Sequence, residues 1–228
     1  MTNSTTLTEK ALEVYRLLTE RYGERELKPR RAPMHELIST MLSHRTTQAN
    51  EALAYQRMWD RFGSWEAIRT APIEQLAGAI APSNFAEAKA PNIQKTLAKL
   101  KELRGDYNID FLADLPADEG LAWLMALPGV GIKTASLVLL FCFAKPVLPV
   151  DTHVHRVSQR VGLISAKVTP EGAHHLLLEM LPKDPYLLYN FHVANLKHGQ
   201  TLCVWGTPKC PPCPLKHLCN WYQAHQGV

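Results

Sequence analysis

Apolar residues recur at helical spacing along nearly the whole chain, and nowhere do they alternate as in a half-buried strand. Met34, Leu37, Ile38, Met41 and Leu42 follow i, i+3, i+4, i+7, i+8, with Pro33 at a first helical position. Leu7, Ala11, Val14, Leu18 and Tyr22 line an earlier helix, expected to be capped by Thr8 and stopped at Gly23. Leu53, Met58, Trp59 and Phe62 mark a third, ended by Gly63. Further helices are expected over Trp65–Thr70, Ile73–Ile80, Phe85–Leu103, Asp118–Leu127, Lys133–Ala144, Thr152–Val161, Pro170–Leu181 and Pro185–His198, with a loop at Arg104–Asp114. No Asn-Gly or Asp-Gly pair offers a hairpin turn, so the expected class is all-α.

A chain of 228 residues suits one domain or two small ones. Lys145–Pro149, where two prolines separate an apolar helix from a His-rich stretch, is the expected seam. With 46% hydrophobic and 20% charged residues, the composition excludes a disordered tail, a collagen-like chain and a coiled coil. No apolar run reaches membrane-spanning length, and the polar Met1–Thr8 is no secretory signal. Lys and Arg number 25 against 21 Asp and Glu, so bulk attraction to a polyanion is weak and any grip on one depends on a few placed contacts.

The segment Leu127-Pro-Gly-Val-Gly-Ile-Lys-Thr-Ala135 joins two expected helices. Gly129 and Gly131 permit close backbone approach, and the amides of the turn and of the next helix can face a phosphate. Pro128, Lys133 and Thr134-Ala135 distinguish it from an ordinary tight turn. It looks like a helix-hairpin-helix, which grips nucleic acid by its backbone. Lys133 reads either as a phosphate ligand or as a nucleophile. An amine attacks carbon only when unprotonated, and the positive end of a helix favours the neutral form. Asp151, in Pro149-Val-Asp-Thr-His153, is a natural N-cap, and a capping carboxylate held ionised by backbone amides can also steady a cation or accept a proton. His153 and His155 flank it, with packing as the commoner role for such residues.

Five cysteines are distributed unevenly. Cys142 lies in an apolar helix and is expected to be a small buried hydrophobe. Cys203, Cys210, Cys213 and Cys219 fall within 17 residues, among Pro208, Pro211, Pro212 and Pro214. Short loops and the lack of an export signal argue against disulfides. Structural zinc usually has two close Cys pairs, and only Cys210 and Cys213 are close. Four soft thiolates suit an iron–sulfur core.

Taken in order, Leu-Pro-Gly-Val-Gly-x-Lys-Thr-Ala, Val-Asp-Thr-His and the 6-2-5 cysteine spacing resemble the endonuclease III family of the helix-hairpin-helix-GPD superfamily, over residues 7–220. The resemblance implies two helical domains with a DNA-binding cleft between them. One, residues 27–145, is a six-helix bundle with the hairpin; the other, residues 1–26 and 146–228, holds a [4Fe-4S] cluster. It further implies a bifunctional DNA glycosylase and apurinic/apyrimidinic lyase of base excision repair: a cytoplasmic monomer acting on double-stranded DNA with a damaged base, expected to be an oxidised pyrimidine, or an abasic site. Lys133 would then be the nucleophile, Asp151 the essential carboxylate, and Cys203, Cys210, Cys213 and Cys219 the cluster ligands. Gly129, Val130, Gly131, Thr134 and Lys209 would contact DNA.

Two positions depart from the family's pattern. Arg45, in Ser43-His-Arg-Thr-Thr-Gln48, stands where the family has a glutamine that fills the gap left by a flipped base. Phe85 falls at the family's apolar wedge position, and also reads as a helix-start packing residue. His44 and His153 are candidates for the base pocket. The cluster loop offers only Lys209, with Lys216 and His217 nearby, where the family is richly basic. The unusual loop at His44-Arg45 leaves a mismatch- or uracil-type glycosylase open, and loss of catalysis would leave a DNA-binding or redox module.

Overall fold

The computed structural model describes residues 2–225, with side chains from residue 6 onward. The described residues are helical, with no strand among them. The chain divides into two compact units, one formed by Pro29–Phe143 and the other by Met1–Lys28 with Ala144–Val228.

Pro29–Phe143 holds seven α-helices: α2 (Pro33–Leu42), α3 (Gln48–Phe62), α4 (Trp65–Thr70), α5 (Ile73–Ile80), α6 (Ala86–Arg104), α7 (Ala117–Met125) and α8 (Ile132–Phe143). Their ends are set locally. The Thr47 and Ser64 side chains accept from Asn50 N and Ala67 N, opening α3 and α4. Gly63 and Gly105 close α3 and α6 in the left-handed region, at φ 68° and 78°. Short 3₁₀ turns at Ala81–Ser83 and Asp110–Ala113 link the helices, the second inside the segment expected to be a loop. Leu37, Ile38, Leu42, Met58, Leu97 and Leu100 are fully buried among them, each contributing on the order of 2 kcal/mol by leaving water.

The other unit packs α11 (Pro185–Thr201) against α1 (Thr2–Tyr22) and α9 (Thr152–Val161), with α10 (Pro170–Glu179) and α12 (Asn220–Ala224) beside α9. Phe191, Leu18 and Val14 form its fully buried centre. Gly199 lets α11 approach α9 closely: a Cβ there would lie 2.7 Å from that of His153. Thr8 does not cap α1, which begins six residues earlier at Thr2; the polar stretch before Leu7 has no apolar period but no helix breaker either. The short α12 has no apolar stripe to betray it. Cys142 is half-buried rather than a core residue, with its Sγ 4.0 Å from Arg31 O, and burial pushes its thiol up to about 12. No described helix is long and apolar enough to cross a membrane.

Candidate functional site

The hairpin between α7 and α8 is a tight turn. Val130 N donates to Leu127 O at 3.2 Å, and Ala135 N returns to Gly131 O at 3.0 Å. The Thr96 hydroxyl of α6 donates to Pro128 O and anchors the turn. The two glycines differ physically. Gly129 has φ +77°, and a Cβ there would sit 3.0 Å from Asn92 Cβ; at Gly131 a Cβ would meet nothing within 4 Å. Gly129 is required by the turn itself. Gly131, immediately before α8, has open space where a side chain would start. Val130 and Thr134, both expected to contact DNA, are buried at 6% and 1% exposure; the Val130 N–H is already held by Leu127 O, which leaves the backbone N–H of Thr134 to offer a ligand.

Lys133 stands in the first turn of α8, half-buried, with Nζ 3.4 Å from Ser43 Oγ. Its positive charge reaches Glu36 and His44. Burial raises the Glu36 carboxyl, against the opposing pull of Arg30, Arg31 and Lys133. His44 is exposed as a residue, yet partial enclosure of its ring, with the charges of Lys133 and Lys89, pushes the imidazole down to about 4. His44 therefore stays neutral at pH 7. Glu36 was invisible in the sequence: at its place in α2 it reads as one more polar residue on a helix surface.

Arg45 and Phe85 come together in the same unit. Both are exposed, Phe85 by 55%, and the Arg45 guanidinium lies 5.6 Å from the Phe85 ring centroid. Phe85 precedes α6 with φ 51°, a conformation a bulky residue seldom adopts, instead of packing inward.

Asp151, in the other unit, caps α9. Its Oδ1 accepts from His153 N at 2.9 Å and Val154 N at 2.8 Å. The residues before it are held by buried histidines that sequence reading passed over. His192 Nδ1 bonds Pro149 O at 2.9 Å, and Val150 N donates to His174 Nε2 at 3.0 Å. His153 itself is engaged structurally: its Nδ1 lies 3.1 Å from Arg156 Nη2. The His155 ring bonds Val168 O at 2.8 Å.

All five cysteines are free thiols. Cys203, Cys210, Cys213 and Cys219 line one recess with Arg160, His198, Leu202 and Leu215. Among the described residues, no three His, Cys, Asp or Glu side chains are grouped closely enough to hold a metal ion. Burial, together with the neighbouring cysteines, raises the thiols of Cys210 and Cys219 and pushes Cys213 up to about 11. Arg160 Nη1 lies 3.4 Å from Cys203 Sγ, and His198 Nε2 lies 3.6 Å from Cys213 Sγ. Arg156 and Arg160 also pin the following loop through Cys203 O (2.9 Å) and Val204 O (2.8 Å). That loop presents Trp205, 80% exposed and unnoticed in the sequence, and an exposed Lys209.

A family model described as HhH-GPD superfamily base excision DNA repair protein matches residues 38–183. The chain belongs to this superfamily. It is 35% identical over 191 residues to endonuclease III of Thermotoga maritima, covering 84% of each chain, and 33% identical to endonuclease III of Rickettsia conorii, covering 82% of this chain and 83% of that one. Among solved structures, a trapped endonuclease III–DNA covalent intermediate superposes with a TM-score of 0.81 at 27% identity, covering 96% of this chain and 98% of that one. A thermostable thymine-DNA glycosylase shares the fold, with a TM-score of 0.76 at 21% identity over 97% of this chain and 100% of that one. The HhH-GPD match spans the Arg45–Phe85 pair, the Lys133 hairpin and Asp151, and ends before the four cysteines.

Proposed function

We propose that this HhH-GPD protein is a bifunctional DNA glycosylase and abasic-site lyase of base excision repair, acting on oxidised pyrimidines in double-stranded DNA. The observation that carries the reading is the placing of Lys133: an amine half-buried at the head of α8, directly behind an open glycine turn whose amides suit a phosphate. The damaged nucleotide leaves the stack, since its C1′ is out of reach within the duplex. Lys133 Nζ, as the free amine, attacks C1′; the glycosidic C–N bond breaks, and the base departs with its electron pair and takes up a proton. Ring opening gives a protonated imine between Nζ and C1′. Loss of a proton from C2′ then expels the 3′ phosphate with cleavage of the C3′–O bond.

Asp151 supplies the carboxylate that steadies positive charge on the sugar. Both capping bonds fall on Oδ1, so Oδ2 lies outside the cap. Arg45 and Phe85 fill and wedge the duplex, and Gly129, Gly131 and Thr134 grip it through their amides, the Val130 amide being held by Leu127 O within the turn. Lys209 binds phosphate.

Cys203, Cys210, Cys213 and Cys219 would hold a [4Fe-4S] cluster. The donor set fits: the four thiols, none in a disulfide, share one recess, where burial and then the neighbouring cysteines disfavour the thiolates of Cys210, Cys213 and Cys219, and a cationic core would relieve that cost. Such a cluster ties the 203–219 segment together through four metal–thiolate bonds.

Borohydride trapping on abasic duplex DNA tests the lyase. A covalent adduct is expected from the wild-type chain and none from Lys133→Ala. An adduct that persists in Lys133→Ala refutes the nucleophile, and no adduct from wild type refutes the lyase. A panel of oxidised, uracil-containing and mismatched duplexes tests the lesion class. Preference for uracil or a mismatch would favour the second reading raised by Arg45. A colourless protein with stoichiometric zinc would exclude the cluster.

A further inference from the structure

Lys89 reads in the sequence as a surface lysine near the start of α6, yet it is 8% exposed. Its Nζ donates to three main-chain carbonyls: Leu42 O at 2.6 Å, His44 O at 2.8 Å and Ser83 O at 2.6 Å. An ammonium has three donors, and all three are used. The acceptors belong to two separate segments, the end of α2 with the turn after it and the 3₁₀ turn before α6.

Among the described residues no carboxylate pairs with this cation, and burial pushes it down to about 8. A buried, unpaired charge is costly to stability, so what it achieves is geometric. The segments it joins are those that carry the exposed probes. A second tie runs from Asn84 Nδ2 to Arg45 O at 3.0 Å. Three non-glycine residues here hold positive φ: Arg45 at 54°, Asn84 at 61° and Phe85 at 51°. Such conformations are strained and persist only where the surroundings enforce them. The Lys89 and Asn84 bonds tie together the segments that hold these residues, and the same segments carry the Arg45–Phe85 pair, with the guanidinium 5.6 Å from the ring centroid.

We propose that Lys89 is a positioning residue that locks the 43–46 and 83–85 segments together, so that Arg45 and Phe85 meet duplex DNA as one preformed two-pronged probe. The proposal rests on the reading that this chain acts on duplex DNA. A preset probe lowers the ordering cost of entering a base stack, and single strands, having no stack to open, do not need it.

The test compares Lys89→Met, which keeps length and loses all donors, with Lys89→Arg and the wild type. Single-turnover β-elimination is measured on an abasic duplex and on the same abasic single strand, beside thermal melts. Lys89→Met is expected to lose about tenfold or more on the duplex and little on the single strand, with Lys89→Arg between. In a double-mutant cycle, Lys89→Met in a Phe85→Ala background is expected to add little further loss, because the probe is already broken. An unchanged duplex-to-single-strand ratio, or losses that multiply in the cycle, would overturn the proposal. Should Lys89→Met fail to fold, Asn84→Gly cuts the exposed tie without opening the core, and it is expected to move the same ratio in the same direction; an unmoved ratio then overturns the clamp. A wild type active on neither substrate removes the lyase reading and the proposal with it, whereas an active wild type with an unmoved ratio removes the proposal alone.

Discussion

The two glycines of the hairpin separate what the turn needs from what a ligand needs. At Gly129, alanine meets two penalties. An L-residue at φ +77° costs about 1–2 kcal/mol. Its Cβ would also lie 3.0 Å from Asn92 Cβ and 3.3 Å from Met41 Cε, a crowding worth about 1–3 kcal/mol. Gly129→Ala is therefore expected to destabilise the protein by about 2–5 kcal/mol. At Gly131 the added methyl points into open space at an ordinary φ, so Gly131→Ala is expected to cost less than about 1 kcal/mol. It does, however, fill the open space immediately before α8, where a phosphate would rest. Its affinity for an abasic duplex is expected to fall about tenfold or more, with the slope of log affinity against log salt unchanged, because no charge is lost. Urea unfolding and fluorescence anisotropy across a salt series measure both effects. A stable Gly129→Ala protein would refute the steric argument. A Gly131→Ala protein that binds DNA as wild type does would refute the assignment of that open space to a backbone phosphate.

Other perturbations follow from the same geometry. Lys209→Ala should weaken DNA binding and flatten the salt slope by about one ion, in contrast to Gly131→Ala, because an exposed cation acts by displacing counterions. Burial holds His174 below its ordinary pKa of 6.5. As pH falls below 6.5 the unfolded chain takes up a proton that the folded chain refuses, so stability drops, by at most about 1.4 kcal/mol per pH unit for this group. Urea unfolding at pH 7.5 and 5.0 should show the loss, and His174→Gln should reduce it but not abolish it, because burial also lowers His35, His44 and His198. Gly199→Ala would set a methyl 2.7 Å from His153 Cβ and 3.2 Å from Arg156 Nη2. It should destabilise by about 1–3 kcal/mol, and an unchanged melting temperature would contradict the close α9–α11 packing. Replacing Cys219 by Ser should lower bound iron and make the 203–224 segment more susceptible to protease; iron content equal to wild type would remove Cys219 from the ligand set.

Much of the molecule was legible in the chain because the signals are local. A helix declares itself by apolar period and its end by a glycine or a cap, so α4 and α5 begin and end where the sequence places them, and Asp151 caps α9. The hairpin and its lysine were visible for the same reason: Gly-Val-Gly-Ile-Lys is a continuous stretch whose turn and helix start depend on neighbours in sequence. Lys89 was not legible. Its charge marks a solvated face by pattern, and two of its acceptors lie 45 and 47 residues away, on carbonyls that carry no sequence signature. His174 and His192 escaped notice likewise, since their partners are main-chain groups of residues 149 and 150. Val130 and Thr134 sit in a recognisable motif, yet only packing decides that their side chains turn inward. The amino-acid sequence by itself determined most of the helices, the turn chemistry and the inventory of lysine, carboxylate and thiols. The tertiary structure decided which cation is buried, which backbone is strained and which aromatic is left exposed, because those follow from contacts between segments far apart along the chain.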